Sequence, residues 1–277
     1  MAPSNSLLGE LELHEIAKRM RRQILKIASK HGGHVGGSLS VIDLLVFLFG
    51  SWMNVAPELV KDDSRDRFIL SKGHCSLALY SVLEEFGFIE SGEVETFMQF
   101  GSRLPGHVEH FHLDCVEMTT GSLGHGVAAA VGVALGGKIK DASWSVYTVL
   151  GDGECNEGSV WEAISLASQL KLNNILFIVD NNRMESLDFT SDILNVEPLH
   201  ERFASFGCDT YRVDGNDFSN LIEIFSNLPR TEKPIAIIAD TTKGKGISFI
   251  ENSPKWHYRA PSETELDLAL QELESFE

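Results

Sequence analysis

The chain is short of positive charge. It carries 23 Lys and Arg against 40 Asp and Glu, a formal net charge of −17, so it has no basic surface with which to grip nucleic acid or anionic membrane. A small anionic ligand would need a local site that overcomes the overall field. Cysteine is also scarce: Cys75, Cys115, Cys155 and Cys208 are scattered without a CxxC pair, which argues against a disulfide framework or a cysteine zinc site and for free thiols in a reducing compartment. No apolar run is long: VIDLLVFLFGSWM (41–53) contains Asp43 and is too short to span a bilayer. The N-terminus, MAPSNSLLGELELHE, lacks the basic start and apolar core of a signal peptide. A cytoplasmic protein is expected. Repeats, low-complexity tracts and Pro/Ser linkers are missing too, so residues 1–277 read as one domain, and 43% hydrophobic content is enough for a sizeable core.

Within that frame, apolar residues at 13, 16, 17, 20, 24 and 27 follow helical spacing and predict a helix over 10–30, stopped by Gly32 and Gly33. Ser40 and Asp43 resemble a capping box, which would start a second helix there and leave HGGHVGGS as a loop with an unusually free backbone. Next, RFIL reads as a strand running into the SKGH turn and a helix through Leu77 to Phe86. Further strands are expected at 145–150, 175–180, 210–213 and 235–240, separated by helical stretches, with an acidic helix at 262–277 packed on the outside. Apolar strands alternating with helices predict an α/β fold: a mainly parallel sheet with helices on both faces.

The stretch GDGECNEG (151–158) begins where the strand VYTVL ends, and in an open α/β sheet ligands bind at the carboxyl ends of strands. Gly151 and Gly153 leave room for a bulky anion and turn amides towards it. Asp152 between them would repel phosphate directly but suits a hard cation such as Mg²⁺, which takes oxygen ligands and shares phosphate oxygens. The helix and strand that follow form a right-handed crossover, which returns Asn181 and Asn182 to the same sheet edge. GDG alone, or Asn-Asn alone, is more often a plain turn; the pair at this spacing is far more specific.

GDG, about 27 residues and then NN resembles the thiamine diphosphate motif, and the neighbouring stretches resemble transketolase: GHVGGSLS, LSKGHCSLALYS, LPGHVE, MTTGSLGHG, VDNNRM and KGKGISFIENSPKWH. They span nearly the whole chain in the family's order. The resemblance implies the diphosphate-binding domain of the thiamine-diphosphate-binding fold. It implies that Asp152, Asn182 and the main-chain oxygen of Met184 bind Mg²⁺, for which Ca²⁺ or Mn²⁺ can substitute. Gly151 and Gly153 would lie beside the diphosphate, His74 would contact it, and Gly121, Ser122 and Leu123 would lie against the aminopyrimidine. His34, His107 and His257 match histidines that line the substrate channel and handle hydroxyl protons. Glu157 and Glu162 match acidic residues near the subunit contact that link paired sites, although by residue type alone they suit a helix N-terminus and a solvated helix face equally well.

In this family each site lies between two α/β domains, and no pyrimidine-binding domain of ~150 residues fits after Lys255. The resemblance therefore implies the N-terminal subunit of a split transketolase. Its expected partner is a C-terminal subunit carrying the pyrimidine domain and its glutamate, in an α2β2 heterotetramer. With the partner it would transfer a two-carbon ketol unit from a keto donor to an aldehyde acceptor. A non-catalytic cofactor-binding scaffold, or a subunit of another thiamine diphosphate enzyme with a specialised acceptor, are the alternatives. The sequence departs from the family pattern at Asp114-Cys115, at His125 and at Tyr258-Arg259, all expected near the entrance or the cofactor pocket. Two further patterns carry less. GHVEHFHLDC groups His107, His110, His112, Asp114 and Cys115 in the manner of a zinc cluster but with spacing that suits no common site, and KGKG (243–246) lacks the P-loop pattern and reads as a flexible turn.

Overall fold

The computed structural model describes residues 8–229 and 231–275; the first seven residues, part of the N-terminus inspected for a leader, and 276–277 of the acidic helix lie outside them. Five strands, β1 (Arg67–Leu70), β2 (Val146–Gly151), β3 (Ile175–Asn181), β4 (Asp209–Asp214) and β5 (Ile235–Asp240), pair in the order β1-β2-β3-β5-β4. Every pairing is parallel. The helices are α1 (Glu10–His31), α2 (Val35–Phe47), α3 (Ser76–Glu85), α4 (His125–Ile139), α5 (Gly158–Gln169), the short α6 (Thr190–Ile193), α7 (Leu199–Ser205), α8 (Phe218–Ser226) and α9 (Glu263–Ser275).

Strand periodicity divides the interior in two. Along β3, Leu176 and Ile178 join a core built with α1, α2, α3 and α8, whereas Ile175, Phe177 and Val179 join a second core built with α4, α5 and α7. Both faces are therefore covered, and this explains why β3 is apolar from Ile175 to Val179 rather than alternating. The acidic helix α9 lies against α1 and buries only Ala269 and Leu273.

One boundary differs from expectation. Helix α2 starts at Val35, so Ser40 and Asp43 are interior residues and not a cap, and the loop shrinks to Gly32–His34. The glycines there answer to packing. A Cβ on Gly36 would come within 3.0 Å of the Trp256 carbonyl, and one on Gly37 within 2.9 Å of Cys75 Sγ. Glycine in this helix admits close neighbours, at some cost in helix propensity. Asp43 forms a buried ion pair with Arg21, its Oδ1 accepting from Nη1 at 2.9 Å and its Oδ2 from Nη2 at 2.6 Å. The π-helical turn Leu48–Trp52 prolongs α2, and the 18 residues Val35–Trp52 are apolar and long enough to cross a membrane; 83% of that stretch is buried inside the protein, which accounts for its apolarity.

Candidate functional site

The carboxyl ends of β1, β2, β3 and β5 carry the turns SKGH, GDG, NN and KGKG, so the sheet alone gathers residues more than 170 positions apart. Asp152 is 2% exposed. Its Oδ1 accepts from the Gly153 amide at 2.8 Å, while Oδ2, equally buried, has no hydrogen-bond partner among the described residues. Burial, followed by the nearby Asp180 carboxylate, pushes its pKa up to about 7. Next to it the Asn182 side chain is oriented at both ends: Nδ2 donates to Asp180 Oδ2 at 3.3 Å and Ser40 Oγ at 3.4 Å, and Oδ1 accepts from the Met184 amide at 3.1 Å.

Among the described residues no group of three or more His, Cys, Asp or Glu side chains could hold a metal ion. A cation bridging Asp152, the Asn182 amide oxygen and the Met184 carbonyl would complete its shell with oxygens from a ligand or water, as Mg²⁺ does. Both the orphaned carboxylate oxygen and the open space around Gly151, where an added Cβ would meet nothing within 4 Å, fit a metal diphosphate. The rival zinc cluster is dispersed: the His110 ring faces the Val116 carbonyl, Asp114 is exposed and paired with Lys61 at 3.7 Å, and His107 turns to the other histidines.

Those histidines converge. The His34 ring centroid lies 5.1 Å from His74, 5.5 Å from His107 and 5.2 Å from His257, and His74 lies 5.7 Å from His257. Backbone bonds hold the converging turns together: Gly244 donates to Gly36 O at 3.0 Å and Arg259 to Gly33 O at 3.2 Å. Tyr258, 56% exposed, adds its ring 4.8 Å from His34. Gly121 adopts φ +151°, and a Cβ there would meet the His107 ring at 3.0 Å, so this turn requires glycine. Ser122 and Leu123 follow it on the way into α4, and the exposed His125 begins that helix.

Burial, and then His107, pushes the pKa of His34 down to about 4; burial, and then Lys243, pushes that of His257 down to about 3. Both rings are therefore neutral at ordinary pH. A histidine whose folded pKa lies below its ordinary 6.5 contributes stability that is full above 6.5 and lost as pH falls through the folded value. We expect the melting temperature of the cofactor-free chain to drop between about pH 6.5 and 4, and His34→Gln with His257→Gln to flatten that slope in calorimetric scans at stepped pH. An unaltered slope would place the acid sensitivity elsewhere.

Three charged residues went unrecognised in the sequence. Lys72 is fully buried against Asp180; burial alone would lower its pKa, but the carboxylate raises it instead. Asp180 also accepts from Ser40 Oγ at 2.7 Å and from Thr241, and is held below the usual carboxylate range, the lysine overcoming the effect of burial. Lys243, placed by the turn KGKG, is buried as well: its Nζ donates to Glu185 O at 2.7 Å, lies 3.5 Å from Met184 O and 3.2 Å from His257 Nδ1. Burial, and then Lys72, brings its pKa down to about 8. KGKG is thus a turn that delivers a buried ammonium group to the Met184–Glu185 loop. A charge at the end of an apolar strand, as Lys72 and Asp180 both are, was the available signal. Glu157 and Glu162 lie along the start of α5, their side chains exposed and without a hydrogen bond or ion pair to another described residue.

Residues 14–274 match the family described as Transketolase, thiamine diphosphate binding domain. The chain is 39% identical over 273 residues to one subunit of the apulose-4-phosphate transketolase of Actinobacillus succinogenes, covering 99% of each chain. It is 35% identical to the 6-deoxy-6-sulfo-D-fructose transketolase subunit SqwG of Clostridium sp., covering 96% of this chain and 97% of that one. The transketolase structure from Campylobacter jejuni superposes with a TM-score of 0.91 at 31% identity, over 96% of this chain but 43% of that one. Likewise the chain is 35% identical to human transketolase over 42% of that protein's length. With its parallel sheet, its convergent turns and these likenesses, this chain belongs to the transketolase family, as a thiamine diphosphate-binding domain of the N-terminal kind.

Proposed function

We propose that this chain is the diphosphate-binding subunit of a two-chain, Mg²⁺-dependent transketolase, acting in the cytoplasm and completed by a second subunit that carries the pyrimidine domain, in an α2β2 assembly. The observation that carries this reading is the buried Asp152 carboxylate oxygen, without a hydrogen-bond partner among the described residues, together with four converging histidines. Relatives that match over nearly their full length are themselves named as single subunits of transketolases, which supports a separate partner. Their substrates, a ketose phosphate and a sulfonated ketose, favour a keto donor with an anionic end.

When bound, thiamine diphosphate supplies the carbon nucleophile and the electron sink for cleaving the bond next to a ketone. Asp152, Asn182 and the Met184 carbonyl would hold the cation, and His74, Lys243 and the Gly151–Gly153 turn would lie beside the diphosphate. At neutral pH Lys243 is an ammonium group, so it donates to His257 Nδ1 and leaves the proton of that ring on Nε2. His34 and His257, neutral before reaction, and His107 beside them would hydrogen-bond donor and acceptor hydroxyls and exchange protons with them. Glu157 and Glu162, on exposed surface, are available to a neighbouring subunit.

The test is turnover of the purified chain with thiamine diphosphate, Mg²⁺, a ketose donor and an aldehyde acceptor, with and without the product of the adjacent reading frame. We expect turnover only with both chains. In that complex, His257→Ala should lower kcat/KM by about 10² to 10⁴, the usual range for a lost proton-transfer group. Wild-type turnover from the His257→Ala complex would instead indicate a cofactor-binding scaffold.

A further inference from the structure

Two residues past Asp152, Glu154 is 2% exposed. It has no basic partner in its hydrogen bonds. Its Oε1 accepts from the Gly124 amide at 2.8 Å and from the Ser71 hydroxyl, and its Oε2 accepts from the Gly151 amide at 3.1 Å. Each donor comes from a different turn: Ser71 opens SKGH, Gly124 closes TTGSLG at the head of α4, and Gly151 opens GDG. The starts of α4 and α5 press against these turns. A Cβ on Gly126 would lie 2.6 Å from Ser71 Oγ, and one on Gly124 would lie 2.3 Å from Ser159 Oγ. A carboxylate at the N-terminus of α4 is also favoured by the helix dipole.

We propose that Glu154 is a positioning residue that clasps the three cofactor-facing turns into one register, so that His74, the Gly121–Leu123 turn and Asp152 meet the same ligand. Resting on the cofactor reading above, it adds a determinant of affinity that touches neither metal nor cofactor. The geometry specifies which substitution is informative. Glutamine keeps the length and one acceptor oxygen, but whichever way its amide turns, a buried glycine N–H faces another N–H; Ser71 can rotate its hydroxyl to adapt, whereas the glycine amides cannot. Aspartate keeps the charge but is one methylene too short to reach all three donors.

Thiamine diphosphate binding would be titrated in the presence of Mg²⁺ by isothermal calorimetry, on the complex with the partner subunit, for wild type, Glu154→Gln and Glu154→Asp. Amide hydrogen exchange at Gly124 and Gly151 and melting temperatures would be read on the same samples. We expect the cofactor Kd to rise at least 10-fold in Glu154→Gln and by a smaller factor in Glu154→Asp, with exchange at both glycines faster by a similar factor. A variant that melts earlier yet binds with wild-type Kd would overturn the positioning role and leave Glu154 a stabiliser of the fold. If Glu154→Gln fails to assemble, Glu154→Asp decides by the same two criteria. A wild-type complex that binds no thiamine diphosphate sinks the cofactor reading itself, an outcome distinct from equal binding by wild type and variant.

Discussion

Asp152→Asn should abolish metal-dependent cofactor binding and at the same time make the metal-free chain harder to melt. The two effects share one cause. Asp152 Oδ2 is buried without a partner among the described residues, so its negative charge is unfavourable until a cation arrives. In the folded chain its pKa is raised from 3.8 to about 7, by burial first and Asp180 second. For a group raised in this way, stability is full below the unfolded value and is lost as pH rises through the folded one. The loss approaches about 4 kcal/mol above pH 7, at about 1.36 kcal/mol per unit. The asparagine of the variant would not ionise, so at pH 8 the metal-free variant should melt several degrees above wild type, and at pH 4 the difference should vanish. Adding Mg²⁺ and thiamine diphosphate should reverse the order, because only wild type gains by mass action. Turnover should fall by more than about 100-fold, beyond the loss usual for a residue that merely supports a metal ligand. Melting scans at pH 4 and 8, with and without the ligands, check both arms. Equal ligand-induced shifts in the two proteins would remove Asp152 from the cation site.

Lys72→Met should be the most destabilising change at the site. Lys72 is 1% and Asp180 0% exposed, and the pair meets directly. Removing the lysine leaves a buried carboxylate whose remaining donors, the Ser40 and Thr241 hydroxyls and the Asn182 amide, are neutral. Breaking such a pair costs about 3–5 kcal/mol, since the stranded charge keeps its desolvation penalty without its counter-ion. In a chain of this size that corresponds to a fall in Tm of roughly 6–20 °C. Lys72→Met combined with Asp180→Asn should recover a large part of the loss, and a double-mutant cycle by calorimetry would measure it. If the double variant is no more stable than Lys72→Met alone, the ion pair is not what the lysine contributes. Function should suffer in step, because Asp180 also orients the amide that presents the Asn182 oxygen.

How far these features could be read in advance depended on the range of the interaction. Strands and helices appeared close to their predicted places, because alternation of period 2 and 3.6 is a local property of the chain. The second helix did not: Gly36 and Gly37 read as loop residues, and only the Trp256 carbonyl and Cys75 Sγ, distant in sequence and adjacent in space, explain why glycines sit inside α2. Similarly, Ser40 looks like a cap from its neighbours, yet its hydroxyl donates to Asp180, 140 residues away.

By itself, then, the sequence determined the α/β class and the sheet edge on which GDG and NN meet, since each is carried by a short pattern or by the handedness of one crossover, whereas the four histidines were singled out only through the family resemblance. Tertiary structure alone decided the charge arrangement of the site. The Lys72–Asp180 pair, the approach of Lys243 to Met184 and His257, and the clasp of Glu154 on three turns join residues from different strand ends. The energy of a buried charge depends on what surrounds it in space, and no local pattern in the chain encodes that.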